Sequence, residues 1–327
     1  MTHTWLWGAF IATVLGLLAL DLGVVNRRAH RPSLHRAALW SAAWVALAAA
    51  FGVGIALTLG NAAALQFATG YVVEEALSVD NLFVFLLIFS YFRVPAELQH
   101  RVLFWGIFGA LVMRGAMIGM GTVLLHRFAW ITLVFGAFLL FTGVRLAFRR
   151  DDDAFDPAGN PVLTLVRRVL PVTRDLHGRH FFVREPAAGG GERWAATPLF
   201  VVLVLLETTD LVFAVDSIPA IFGVTRDPFL VYTSNVFAIL GLRSVYFLLA
   251  GVMDRFHLLR YGLAAVLAFV GAKMLLERVY EVPTLASLAV IVLALAASAA
   301  ASLAFPKRAA GGAGADATRP TADGSAA

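Results

Sequence analysis

Cysteine is absent from the sequence, and charged residues are scarce, at 14% of 327 positions. Without cysteine the chain can form no disulfide, no thiolate metal ligand and no cysteine nucleophile. Hydrophobic residues make up 60% of the sequence, more than a soluble domain of this size could bury. Several apolar runs reach the roughly 20 residues that cross a bilayer. The composition therefore predicts an integral membrane protein with several spans.

A second absence concerns histidine within the predicted spans. None of the eight histidines lies at the centre of a predicted span, which argues against an imidazole metal site there. The sequence contains no G-x-S-x-G and no H-E-x-x-H motif, so it predicts no enzyme and no catalytic residue. Most arginines lie in loops between apolar runs, a pattern that reflects membrane orientation and not nucleic-acid binding.

Nine apolar runs are present, so we expect an all-α polytopic membrane protein with about nine transmembrane helices. The runs cover residues 5–25, 37–59, 65–92, 102–125, 128–148, 198–222, 229–252, 258–277 and 284–305. If the spans alternate in direction, 19 basic residues fall on one side of the membrane and three on the other. The positive-inside rule then places the N-terminus outside and the C-terminus in the cytoplasm.

Two sets of three spans share sequence motifs. Glu74 and the pair Asp80-Asn81 are matched by Asp210 and the pair Asp216-Ser217, 136 residues later. "FGALVMR" (108–114) is matched by "FAILGLR" (237–243), and "FTGVRL" (141–146) by "FVGAKM" (269–274). Because the span at 65–92 is predicted to run inward and that at 198–222 outward, the two units form an inverted repeat, an architecture of secondary transporters.

The repeat divides the chain into six parts. Residues 65–148 form the first three-helix unit, and residues 198–277 form the second, inverted unit. Two peripheral spans (1–64) precede them, a basic cytoplasmic loop (149–197) joins them, and a final span (278–305) and a tail (306–327) follow. The tail is small, polar and aperiodic, so we expect it to be disordered.

The predicted spans contain seven acids and only four bases. The acids are Asp21, Glu74, Glu75, Asp80, Glu207, Asp210 and Asp216; the bases are Arg114, Arg145, Arg243 and Lys273. Each charge at the bilayer centre costs roughly 2.5–3.5 kcal/mol. Ion pairs that lock helices together would explain some of these charges, but they cannot absorb every acid. The remaining acids must be protonated, hydrated or bound to a cation.

Helical spacing places several oxygen ligands together. Glu74, Ser78 and Asn81 share one helix face, and Glu207, Asp210 and Ser217 share another. We expect a local helix break at Pro219, which would free the carbonyl of Val215 beside Asp216. Carboxylate, amide and hydroxyl oxygens favour hard cations such as Mn, Mg or Ca over Zn or Cu.

The same segments carry a family resemblance. "EEALSVDNLFVF", "LLETTDLVFAVDSIPAIF" and "YGLAAVLAFVGAKMLL" resemble the TerC family of membrane proteins, above all its Alx-type branch. The resemblance covers nearly the whole chain to about residue 305. It implies manganese homeostasis, chiefly Mn(II) export across the bacterial inner membrane, with an older association with tellurite resistance. Carried over by motif, the metal-binding residues are Glu74, Glu75, Asp80, Asn81, Glu207, Asp210 and Asp216.

These observations predict a secondary transporter that exports a hard divalent cation, with Mn(II) as substrate and no resident cofactor. Arg114, Arg243 and Lys273 are the expected charge partners or gating residues. Protons are a natural exchange ion, because the same carboxylates could bind either species. The expected partners are thus the metal ion, protons and the lipid bilayer, with no oligomeric state assigned. The alternative is a non-transporting assembly or scaffold protein, linked to metal or tellurite stress, whose buried charges are structural.

Overall fold

The computed structural model describes residues 4–20, 34–128, 130–148, 160–186, 192–250, 258–277 and 279–305, without the side chains of residues 18–20 and 80. These segments form ten helices and one two-stranded hairpin. The helices are α1 (Thr4–Leu20), α2 (Leu34–Leu59), α3 (Asn61–Tyr91), α4 (Ala96–Arg127), α5 (Ile131–Phe148), α6 (Pro161–Val169), α7 (Pro198–Phe222), α8 (Pro228–Leu249), α9 (Leu259–Leu276) and α10 (Thr284–Ala304). The strands are β1 (Phe182–Pro186) and β2 (Glu192–Ala196).

Each of the nine apolar runs coincides with one long helix, so the all-α polytopic class is confirmed. Seven of these helices are long and apolar enough to cross a membrane. Of the other two, α1 is apolar over the shorter range Thr4–Leu17, and α3 carries three acids. The number nine therefore stays a prediction.

The helices differ in burial in a way that separates centre from periphery. In α8, 89% of an 18-residue apolar stretch is buried, whereas only 11% of the corresponding stretch is buried in α2 and in α10. α8 packs against α2, α3 and α4, and α3 also packs against α7. The bundle is thus built around α3, α4, α7 and α8, while the exposed apolar faces of α2 and α10 suit contact with lipid.

The matched spans run antiparallel to each other. Thr225, just after α7, donates a hydrogen bond of 2.8 Å to Gln66 near the start of α3, and the end of α3 lies beside the start of α7. In α4 and α8, Gln99 accepts a hydrogen bond of 3.0 Å from Tyr246, and the Leu111 carbonyl lies 3.5 Å from the Tyr232 hydroxyl. Helices of opposite direction are what an inverted repeat requires.

The packing of α5 on α9 is reciprocal. Gly143 lies against Ala264 and Ala268, and Gly271 lies against Gly136 and Leu140. The two sets are equivalent by position. Gly143 and Gly271 differ by the 128-residue offset of this motif pair, and so do Gly136 and Ala264, and Leu140 and Ala268. Such reciprocity is expected where a two-fold axis passes between two related helices; the inverted repeat itself stays a prediction.

The connection at 149–197, expected to be a loop, contains ordered structure. α6 begins with Pro161 and is capped by the Asn160 side chain, which accepts a hydrogen bond of 2.8 Å from Val162 N. β1 and β2 pair antiparallel, and Leu163 of α6 and Ala195 of β2 are buried. The connection therefore packs onto the end of the bundle.

One local expectation was wrong. Pro219 does not break the helix, because α7 continues through it to Phe222. Asp21 and the tail at 306–327 lie outside the described residues.

Candidate charged site between the repeats

Arg114 of α4 lies at the centre of a buried charge network. Its Nη2 donates to Asp210 Oδ1 at 2.8 Å, and its Nε donates to Asp210 Oδ2 at 3.1 Å. The guanidinium and the carboxylate therefore form a bidentate pair. Its Nη1 donates to Glu74 Oε1, and also to Asn235 Oδ1 at 3.3 Å. The guanidinium is 1% exposed and Glu74 is fully buried. One arginine thus joins α3, α4, α7 and α8.

Two carboxyl groups share the guanidinium of Arg114 in this network. Glu74 and Asp210 both bind it, and both are buried. Glu74 Oε2 has no hydrogen-bond partner, and neither does Asn235 Nδ2. A buried polar atom without a hydrogen-bond partner costs free energy. The network therefore lacks partners for these two atoms.

A small cavity opens next to Asp210. Its volume is about 20 Å³, and it lies between α3, α4, α7 and α8; that is room for roughly one water-sized species. Glu207, Asp210 and Arg243 line it together with apolar and small residues. The surface that this cavity presents is apolar, although three charged side chains contribute to its wall.

Glu207 is placed by a glycine. A Cβ on Gly109 of α4 would overlap the Glu207 carboxylate, so only glycine lets this carboxylate lie against the α4 backbone. Glu207 Oε2 is buried and has no partner. The absence of a side chain at Gly109 therefore defines one wall of the acidic site.

Other buried oxygens on α3 and α7 are also without partners. They are Glu75 Oε2, Ser78 Oγ and Ser217 Oγ. Asn81 is buried on the same helix as Glu74, as its spacing predicts. Unpartnered buried oxygens in a native protein call for a water or an ion, and these belong to the helices that carry the predicted ligands.

Asp216 and Lys273 lie apart from this network. Asp216 lies 3.5 Å from the Thr142 hydroxyl and is attracted by Arg145 of α5. Lys273 of α9 interacts with Glu277 at the helix end. The Asp80 side chain is outside the described part of the structure. Within the described part, no three His, Cys, Asp or Glu side chains come close enough to form a metal cluster.

Three residues of the site were not singled out from the sequence as ligands or partners. Asn235 and Thr142 are polar residues within apolar helices, and that position was a usable signal. Gly109 was indistinguishable from glycines that serve helix packing, because its role depends on Glu207, 98 positions later. Only the three-dimensional arrangement shows it.

Fold and site together define a polytopic membrane protein with a charged network buried between α3, α4, α7 and α8. Comparison with known proteins makes the assignment specific: residues 59–310 match the model of the "Integral membrane protein TerC family". The chain belongs to this family.

The relatives match this chain over most of their length. An uncharacterised membrane protein of Myxococcus xanthus, STKORF319, is 51% identical over 298 residues, covering 91% of this chain and 92% of that protein. The Escherichia coli (strain K12) protein named "Putative membrane-bound redox modulator Alx" is 49% identical over 295 residues, covering 88% and 90%. An uncharacterised membrane protein of Rickettsia bellii is 38% identical over 286 residues, covering 88% and 93%. No solved structure matches the chain.

Proposed function

We propose that this protein is a secondary transporter that exports a hard divalent cation, Mn(II) in particular, across the bacterial inner membrane. The observation that carries this proposal is the set of buried, unpartnered oxygens on α3 and α7, those of Glu74, Glu75, Ser78, Glu207 and Ser217. Oxygen ligands of this kind suit Mn, Mg or Ca. The transporter that we propose has no catalytic residue and no resident cofactor.

The inverted repeat supplies the mechanism that we propose. Arg114 corresponds to Arg243, and Glu74 corresponds to Asp210. Arg114 binds both acids, and Arg243 lines the cavity beside Asp210. If the two units exchange conformations, Arg243 takes the place of Arg114 between the acids and Arg114 moves to the equivalent place on the other side. The acids would be released to bind a cation between these two states.

Proton exchange fits the same groups. A carboxylate that gives up its arginine must bind a cation or a proton, because a bare buried charge is too costly. Outward movement of Mn(II) and inward movement of protons can therefore share one set of acids. The N-terminus would lie outside and the C-terminus in the cytoplasm, as the distribution of arginine predicts.

The test is metal flux in proteoliposomes that contain the full chain. Influx of Mn, Mg, Ca and Zn is compared with and without a pH gradient, using a metal-sensitive dye inside the vesicles. We expect Mn(II) flux that Asp80→Asn, Glu207→Gln and Asp216→Asn abolish. Glu97→Gln is the matched control, because Glu97 is exposed in the first turn of α4. Unchanged flux in all three site variants would exclude the proposed acids as the transport site.

A structural role for the charges is the second candidate, favoured by the close pairing of Arg114 with Glu74 and Asp210. A scaffold needs only that no buried charge is left without a partner. Neutralising all three groups in the variant Glu74→Gln, Arg114→Met and Asp210→Asn should then preserve both folding and cellular function. A transport site would lose function in this variant even where the protein still folds.

The name of the Escherichia coli relative includes a redox role, and the composition of this chain limits which redox chemistry it could perform. This chain has no cysteine, so its own side chains cannot carry thiol–disulfide exchange. Tellurite transport is also disfavoured, because an acid-rich site repels an oxyanion. A link to redox or tellurite stress would therefore act through metal supply or through other proteins.

A further inference from the structure

We propose that a groove at the end of the bundle binds the phosphate group of an anionic ligand. The arginine groove, as we call it, has a volume of about 790 Å³ and is lined by Arg93, Arg167 and Arg174. It lies where α3 ends and α7 begins, beneath the connection that joins the two units. This inference does not rest on the proposed transport.

The three arginines reach the groove from separate parts of the chain. Arg93 follows α3, Arg167 belongs to α6, and Arg174 lies between α6 and β1. They converge because α6 packs through Leu163 onto the same core cluster as Leu199 of α7. The fold thus brings three guanidinium groups to one depression.

The backbone at Arg93 is fixed in an unusual conformation. Its φ is 49°, in the left-handed region that favours glycine, and within the described residues no other non-glycine residue has a positive φ. Hydrogen bonds from Arg93 N to Ser90 O (3.1 Å) and from Val94 N to Phe89 O (3.0 Å) hold this turn. Glycine would adopt this backbone conformation at lower cost. The presence of arginine instead suggests that its side chain has a role at this position.

The groove carries net positive charge. Asp175 is the one acid among its lining residues, and none of the three arginines forms an ion pair within the described residues. By contrast, Arg184 pairs with Glu192 and Arg226 pairs with Glu277. The first turn of α7, at Pro198 and Val201, also lines the groove and contributes the positive end of a helix dipole.

Phosphate is the anion that these groups recognise best. Guanidinium groups bind its oxygens through paired, charge-assisted hydrogen bonds. Apolar residues stand beside the arginines, among them Phe92, Val172 and Leu176. The phosphate could therefore belong to a phospholipid headgroup at the membrane surface or to a free phosphate in solution.

The test measures phosphate binding to the full-length protein in two arms. In the first arm, phosphatidylglycerol is titrated into protein in phosphatidylcholine nanodiscs, and bound lipid is counted by native mass spectrometry. In the second arm, inorganic phosphate is added to the same nanodiscs without phosphatidylglycerol, and the shift of the unfolding temperature is recorded. Retention of phosphatidylglycerol alone identifies a lipid headgroup, whereas stabilisation by inorganic phosphate identifies a free phosphate.

Both arms compare two variants of equal charge change. Arg167→Gln with Arg174→Gln removes two groove arginines, and Arg168→Gln with Arg179→Gln removes two exposed arginines of the same connection that do not line the groove. We expect the groove variant to bind at least about tenfold more weakly, since a charged hydrogen bond contributes on this scale. The control variant should bind as the natural protein does. Equal losses in both variants, or a loss in neither, would overturn the proposal.

Discussion

At the scale of single residues, Arg114 is the side chain on which the buried network depends. It is 1% exposed and compensates two carboxylates from different helices. We predict that Arg114→Met lowers the free energy of unfolding by about 3–5 kcal/mol, because Glu74 and Asp210 then lose the buried guanidinium that both of them bind. Thermal or denaturant unfolding of the purified protein in detergent measures this change.

The matched control for Arg114 is an exposed pair. Arg226 and Glu277 lie 2.6 Å apart and are about half exposed, so Arg226→Gln should cost less than about 1 kcal/mol. Adding Glu74→Gln and Asp210→Asn to Arg114→Met should restore much of the lost stability. A triple variant as unstable as the single one would show that lost packing, and not unpaired charge, explains the effect.

Gly109 offers a second test at this scale. An added methyl group in Gly109→Ala would overlap only the end of the Glu207 side chain, which can rotate away. We therefore predict little change in stability but a loss of transport of about tenfold to a hundredfold, because a displaced ligand changes the site geometry. Metal flux in proteoliposomes and unfolding temperature are measured together.

Another glycine on the same helix serves as the control. Gly119→Ala adds a methyl group that has no other atom within 4 Å, and Gly119 does not line the cavity, so flux and stability should both be preserved. If Gly109→Ala transports as well as Gly119→Ala does, the position of Glu207 is not critical.

The sequence was sufficient to identify the acids but not their partners. An acid within an apolar run is visible because the bilayer makes it costly. Which base compensates it depends on helix neighbours far apart in the chain: Arg114 is 40 positions from Glu74 and 96 from Asp210. Asp216 shows the same limit, since its basic neighbour is Arg145, 71 positions earlier in the chain.

At the scale of helices, the contact between α5 and α9 depends on two glycines. A Cβ on Gly143 would lie 2.6 Å from Ala268 N, and a Cβ on Gly271 would lie 2.5 Å from Leu140 N. Both neighbours are backbone atoms, which cannot move without separating the helices. We predict that Gly143→Ala and Gly271→Ala each destabilise the protein by about 1–3 kcal/mol, as overpacking of a tight contact does.

The two glycine variants also test the relation between the repeats. Because their contacts are reciprocal, the two losses of stability should be similar in unfolding measurements. Gly54→Ala is the control, since its added methyl group meets no atom within 4 Å. A large effect at only one of the two glycines would mean that the contact is not equivalent on its two sides.

Sequence patterns located the long helices well because bilayer thickness fixes their length and apolarity. They did not reveal α6, β1 and β2. These elements have five to nine residues each, and their order depends on packing against the bundle through Leu163 and Ala195. Pro219 failed as a signal for a related reason: surrounding helices can stabilise a proline-containing helix that would otherwise bend or break.

At the scale of the whole molecule, the direction of each span decides whether the two units are inverted in the membrane. The antiparallel packing of α3 on α7, of α4 on α8 and of α5 on α9 fixes their relative directions. The distribution of arginine adds an absolute direction, with the connection at 149–197 in the cytoplasm. Together these predict that the end of α4 and the connection lie on opposite sides of the membrane.

The absence of cysteine makes this last prediction simple to test. His126 at the end of α4 and His180 in the connection are both exposed, and each can be replaced by cysteine in a chain with no other thiol. A membrane-impermeant maleimide added to spheroplasts should label His126→Cys and not His180→Cys, while both should react after the membrane is opened. Labelling of His180→Cys alone would reverse the orientation and with it the predicted direction of export. Labelling of both in intact spheroplasts would place the two sites on the same side, which an inverted pair of three-helix units does not allow.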